Sequence, residues 1–253
     1  MKSKRVQAVF IVCAGLAATG ASADVFQWDW SAAADGTRGL NMRGGEFESV
    51  HAEYNSSDNR FLWEVVFSDQ ITDGYTLAVN NGPNPKGHAG ELALIYFDAT
   101  HPDVRVSAYA YNGQNTLLTY RDGSPQAGDQ DPDQIFGFNH SSILRASSED
   151  IGAKRKMTLE IDAGVINAHS PAYPGPGGSA EWTGIAFDEM LGLWMHPLTE
   201  LTTGYDQDES LTAWSGSQGW FDASSLKAAS VPAPHTLAIF GLGGLAACRR
   251  RRQ

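Results

Sequence analysis

Short runs of alternating apolar and polar residues, each closed by glycine, asparagine, aspartate or proline, restrict this chain to strands. The run "FQWDW" sets Phe26, Trp28 and Trp30 against Gln27 and Asp29. "FLWEVVF" places Phe61, Trp63, Val65 and Phe67 on one side of the backbone and Glu64 on the other. "KMTLEI" does the same with Met157, Leu159 and Ile161 against Lys156, Thr158 and Glu160. A period of two belongs to half-buried strands, whose successive side chains point to opposite faces. "LALIYF", Leu92 to Phe97, is apolar on both faces and predicts a strand in the middle of a sheet. "WTGIAF" (182–187) and "MLGLWMH" (190–196) are further candidate strands. No amphipathic pattern extends beyond about ten residues, so only short helices are expected, near 147–152 or 163–168. About ten to twelve strands predict an all-β chain: a two-sheet β-sandwich of jelly-roll or lectin-like kind, in one domain over residues 24–229.

Charge and cysteine then narrow what such a domain can do. All 29 acidic residues lie between Asp24 and Asp222, and residues 24–230 hold only 11 of the 18 basic ones, so the middle of the chain carries about −18. That field repels nucleic acid and excludes it as a partner, and it attracts divalent cations. The two cysteines, Cys13 and Cys248, both lie in terminal apolar segments. The middle therefore has no disulfide, no thiolate metal site and no thiol nucleophile, and must be held by its own core.

The two ends read as addresses. "MKSKRVQAVFIVCAGLAATGASA" begins with Lys2, Lys4 and Arg5, continues through a short apolar stretch, Val6 to Ala18, and ends in small residues. Ala21 and Ala23 fit the cleavage site of a signal peptidase, which makes 1–23 a signal peptide and Asp24 the mature start. At the other end stands "VPAPHTLAIFGLGGLAACRRRRQ". As a helix, Val231 to Cys248 would reach ~27 Å, close to the ~30 Å hydrocarbon core of a bilayer. Arg249, Arg250, Arg251 and Arg252 would hold the end on the cytoplasmic side and leave the acidic domain outside. Gly241, Gly243 and Ala246 have the spacing of a dinucleotide fingerprint, but arginines and the chain end follow where a distant acid is needed. They are read as part of a transmembrane helix.

Pro232-Ala233-Pro234, a short apolar helix containing glycines, and a terminal arginine cluster together resemble the PEP-CTERM sorting signal, with Ala233 where that family usually has glutamate. The resemblance covers residues 231–253. It implies recognition by an exosortase, a membrane transpeptidase, with cleavage near Pro232 and Pro234. It further implies export in a Gram-negative bacterium that secretes extracellular polysaccharide, with membrane anchoring before sorting and a place in the envelope or matrix afterwards.

Within the core, "VRVSAYAYNGQNTLLTY" carries the clearest binding pattern. Asn112-Gly113 favours a two-residue hairpin turn, because both positions take positive φ. That register puts Val106, Ala108 and Ala110 on the face toward the core. The opposite face then carries Arg105, Tyr109, Tyr111, Gln114, Thr116 and Tyr120, an aromatic and hydrogen-bonding platform suited to a sugar ring. Trp194 shares a face with His196 and falls on either an outer surface or a second buried layer.

For metals, "GDQDPDQ" sets Asp129, Asp131 and Asp133 at alternate positions, donors that a calcium ion could take. It is not an EF-hand, since Gln134 and His140 occupy the sixth and twelfth positions. "YDQDES" offers Asp206, Asp208 and Glu209 as a second acidic loop. No zinc spacing of histidines, no G-x-S-x-G elbow and no other cofactor motif appears. No catalytic residue is assigned. The expected role is a non-catalytic structural or carbohydrate-binding protein of the extracellular polysaccharide. The alternatives are an enzyme acting on that polysaccharide, and a calcium-dependent adhesive or self-assembling surface protein.

Overall fold

A computed structural model describes residues 24–31, 42–80, 92–111, 120, 133–169, 190–219, 221–227 and 229–232. The expected signal peptide, Asn112-Gly113 turn and strand at 182–187 lie outside these residues, as does the C-terminal segment beyond Pro232; Val231 and Pro232, read as the start of a helix, are instead in a strand, where their backbone pairs with another strand. Among the described residues no helix is long and apolar enough to cross a membrane.

Thirteen strands are described: β1 (Asp24–Ser31), β2 (Phe47–Asn55), β3 (Arg60–Phe67), β4 (Gly74–Asn80), β5 (Leu92–Asp98), β6 (Arg105–Tyr111), β7 (Gln134–Phe136), β8 (Ile143–Ile151), β9 (Lys154–Asp162), β10 (Met190–Tyr205), β11 (Leu211–Gln218), β12 (Phe221–Lys227) and β13 (Ala229–Pro232). One short helix, α1 (Gly164–Ala168), and a 3₁₀ turn at Met42–Gly44 accompany them. The first sheet has the order β13-β1-β2-β3-β9-β8. The second runs β11-β10-β4-β5-β6-β7, with β12 also paired to β10. Every pairing is antiparallel. β1–β3 and β4–β7 are meanders, and the chain passes between sheets after β3, β7, β9 and β12.

On β3 the alternation read from sequence is the alternation of burial: Phe61, Trp63, Val65 and Phe67 are fully enclosed, and the residues between them are not. On β9, Met157, Leu159 and Ile161 are enclosed as expected, but Thr158 and Glu160 are buried as well, where Thr158 Oγ1 donates to Glu64 and Arg60 pairs with Glu160. The enclosed apolar residues of both strands join one core with Tyr75, Leu77, Ile95, Phe97 and Val106 from the second sheet, so the two sheets pack face to face. Each such side chain contributes roughly 1.5–3 kcal/mol of burial, which lets the domain stand without a disulfide. β5 is flanked by β4 and β6, the central position its two apolar faces predict.

Of the two places offered for a short helix, residues 147–152 are not helical; they form the end of β8 and its turn. Ile151 pairs with Lys154 across a two-residue turn in which Gly152 takes φ +65°. A side chain there would be strained, so glycine makes the tight turn. Cross-strand charge pairs, Asp150 with Arg155 and Glu149 opposite Lys156, then favour the hairpin over a local helix. The helix expected near 163–168 is α1. A close approach fixes the 3₁₀ turn against the second sheet: a Cβ on Gly44 would lie 1.8 Å from the Pro197 carbonyl oxygen.

Candidate functional site

The outer face of the second sheet is where a site forms. On β4, β5 and β10 the residues that do not enter the core are Thr76 and Ala78, Leu94 and Tyr96, and Trp194 and His196. Their neighbours Leu77, Val79, Ile95, Leu193 and Met195 are core residues. A sheet face with this much aromatic surface needs cover, and β10 supplies it.

β10 pairs with β4 only as far as Leu198 opposite Gly74; beyond that, Thr202–Tyr205 pair with β11 alone. The register shifts between Thr199 and Thr202, and Glu200 takes φ +55°. Such a bulge bends a strand, and here the β10–β11 hairpin turns across the sheet's outer face. Thr203 Oγ1 and the Tyr205 hydroxyl donate to Asp98 Oδ2 of β5 at 2.8 and 3.0 Å. The Leu211 amide donates to the Tyr109 hydroxyl of β6 at 2.8 Å. The Ser210 hydroxyl donates to Gln134 of β7 at 2.5 Å. Beneath the hairpin a second buried cluster forms from Ala78, Leu94, Tyr96, Tyr109, Tyr120, Leu198, Leu201, Leu211 and Trp214. Tyr96 is its hub, meeting Tyr109, Tyr120 and Trp214 edge to face at 5.8, 5.5 and 5.1 Å.

At the root of the hairpin the cover is incomplete and leaves a cavity of about 270 Å³. Ala78, Leu94 and Tyr96 contribute its sheet side, Trp194, His196 and Thr76 continue that face along β10 and β4, and Trp214 and Gln218 come from β11. Trp194 and His196 meet ring to ring at 4.3 Å. Both nitrogens of His196 are shielded from solvent, and neither makes a hydrogen bond of good geometry. Burial lowers its pKa from the ordinary 6.5, and the Gly219 backbone opposes that less strongly. The ring is therefore neutral at pH 7, with one donor and one acceptor nitrogen turned away from solvent. Such an arrangement sets aromatic rings beside hydrogen-bonding groups in one concave wall. Among the described residues no three histidine, cysteine or acidic side chains are grouped to hold a metal.

A second, smaller cleft of about 170 Å³ lies at the far end of the same face, lined by His101, Arg105, Phe138 and Asn139 among others. The Arg105 guanidinium sits 4.6 Å from the Phe138 ring and 4.8 Å from the Tyr205 ring. Next to it Asp98, fully buried, accepts from the Thr100 amide and hydroxyl, Thr203 and Tyr205. A carboxylate out of water needs that many donors.

The residues read as a tyrosine platform have different surroundings. Val106, Ala108 and Ala110 do face the main core. Tyr109 and Tyr120, however, are buried under the hairpin and present no open surface. Burial pushes the Tyr109 hydroxyl up to about 12. Arg105 belongs to the separate cleft. Tyr111 is a β6 residue opposite Leu92, and Gln114 and Thr116 lie outside the described residues. Of the three aspartates offered to calcium, Asp129 and Asp131 lie outside the described residues, and Asp133 Oδ1 meets His169 Nε2 at 2.7 Å. In the other acidic loop, Asp206 accepts the Asp208 and Ser210 amides, and Glu209 accepts from Asn139. Those carboxylates close a turn and tie it to the segment after β7. Pro232 ends β13; Ala21, Ala23, Pro234 and Arg249 to Arg252 lie outside the described residues.

Sequence reasoning weighed Trp194 and His196 as a shared face but missed Thr76, Tyr96 and Gln218. The alternation on β4 could have flagged Thr76. Nothing local marks Tyr96, because a strand apolar on both faces does not say which face is outermost.

Residues 230–252 match the family model of the PEP-CTERM protein-sorting motif. No curated protein and no solved structure matches the chain. The motif marks an exported protein processed by an exosortase.

Proposed function

We propose that this chain is a non-catalytic surface or matrix protein of a Gram-negative envelope, whose β-sandwich, residues 24–229, holds a sugar unit of extracellular polysaccharide. The observation that carries this reading is the cavity between Trp194, Tyr96 and Trp214, with Thr76 and Gln218 in its wall. Indole and phenol faces suit the apolar face of a pyranose, and Thr76 and Gln218 can exchange hydrogen bonds with its hydroxyls. A volume of about 270 Å³ is below the usual 300–1,000 Å³ range of drug-sized sites, which fits one ring rather than a long segment. A signal peptidase acting after Ala23 and a membrane-held tail belong to the same reading, as the export route of the domain.

Retention of the folded domain on the producing organism's own polysaccharide tests this. Trp194→Ala should weaken retention at least about tenfold, since one stacked ring is worth roughly 1.5 kcal/mol or more. Trp194→Phe should keep a fraction of it. Equal retention of all three proteins would remove the cavity from the account.

A further inference from the structure

The last described strand belongs to two things at once. β13 pairs with β1 through Gln27 with Ala229, Phe26 with Ser230, Val25 with Val231 and Asp24 with Pro232. The sorting motif begins at residue 230. Ser230, Val231 and Pro232 are therefore both sorting-motif residues and rungs of the domain's first sheet, at its edge. Pro232 has no amide hydrogen to give, so the ladder stops where the motif's first proline stands.

That double use creates a competition. A peptidase that cuts near Pro232 and Pro234 takes its substrate as an extended segment and satisfies that segment's backbone donors and acceptors itself. While β13 lies on β1, one edge of its backbone is occupied. Distance adds to the conflict. Ala233, Pro234 and His235 can span at most ~11 Å, so the apolar segment leaves little slack between a membrane-embedded enzyme and the folded sheet. Freeing the four residues of β13 adds up to ~14 Å.

We infer that β13 is a latch on sorting: the membrane transpeptidase acts on chains in which β13 has left β1, and the β1–β13 ladder sets how fast the tail is removed. This rests on the exosortase reading and is independent of the sugar site. The partner surface is the backbone of residues 230–232, presented as a free extended strand. Local opening of a short edge strand requires far less than global unfolding, so the latch slows processing without forbidding it.

The test uses the full chain in membranes that contain its sorting enzyme, with Cys13→Ser and Cys248→Ser so that only introduced thiols can bridge. Val25→Cys with Val231→Cys places cysteines on directly opposed antiparallel residues, whose Cα atoms are ~4.5–5.5 Å apart, within disulfide range. Tail removal is followed by mass. The oxidised pair should be processed at least about tenfold more slowly than the same protein after reduction, and the single-cysteine variants should match the reduced form. A second bridge, Gln27→Cys with Ala229→Cys, leaves residues 230–232 free to peel and should slow processing less. Equal rates for oxidised and reduced protein would overturn the latch. So would failure of the Val25–Val231 pair to bridge in folded protein, because the ladder would then not exist before sorting. A parent chain that is never processed would overturn the exosortase reading and the latch together, whereas loss of polysaccharide retention would touch neither.

Discussion

Tyr109 shows how a residue can be placed on the right face of a strand and still have another role. Its position opposite the core-facing alanines was legible from the Asn-Gly turn, but the turn says nothing about what lies above that face. What lies there is the β10–β11 hairpin, and Tyr109 accepts the Leu211 amide that holds it down. Tyr109→Phe should therefore cost about 1–2 kcal/mol of stability in a denaturant titration, through the stranded amide, and leave polysaccharide retention unchanged. His196 carries a different signature. Its native pKa is lowered by burial, whereas in the unfolded chain it titrates near 6.5. As pH falls below that value, the unfolded state takes a proton that the native ring refuses, so stability drops with pH down to the lowered native pKa. Above 6.5 the contribution is level. Comparing melting temperatures at pH 7.5 and 5.5 for the parent and His196→Gln should show a smaller acid-induced fall in the variant.

At the scale of elements, the strands were legible because burial alternates with period two wherever a sheet has one wet face. β3 needed nothing more than its own residues, whereas the polar face of β9 is buried as well, by contacts with Glu64 and Arg60 that its own residues do not reveal. The β8–β9 hairpin was missed because Gly152-Ala153 lacks the usual asparagine, and because its support is a ladder of charge pairs that only the register reveals. The cover over the outer face was illegible for a similar reason. A bulge at 199–202 leaves no compositional mark, and Glu200 is a residue seldom found at positive φ. That backbone position gives the sharpest test of the hairpin's bend. Glu200→Gly should hold or raise stability, by up to about 1 kcal/mol, because glycine tolerates the left-handed region. Glu200→Val should lower it by about 1–2 kcal/mol and weaken retention in parallel, since Trp214 and Gln218 reach the cavity from the same hairpin. Thermal melts on both variants, with retention measured on the same preparations, check the two halves of this expectation.

For the whole molecule, the sequence was most informative where physics is least local. The arginine cluster, the apolar run and the proline pair declare a destination without any fold, and the motif match at residues 230–252 agrees with them. The cavity was the least legible feature, because Tyr96, Trp194 and Trp214 come from three strands that only the folded sheet and its hairpin bring together. The destination and the site meet in the layering. β13 belongs to the first sheet, while the cavity opens on the outer face of the second. A domain fastened through residue 232 and loaded by a captured polymer would feel tension first at the rung joining Asp24 to Pro232. Tugged away from the sheet, the rungs give way in succession, each lengthening the leash by ~3.5 Å before the sandwich bears strain. Drag from moving fluid would thus be absorbed by a few expendable backbone bonds, which can re-form once it slackens.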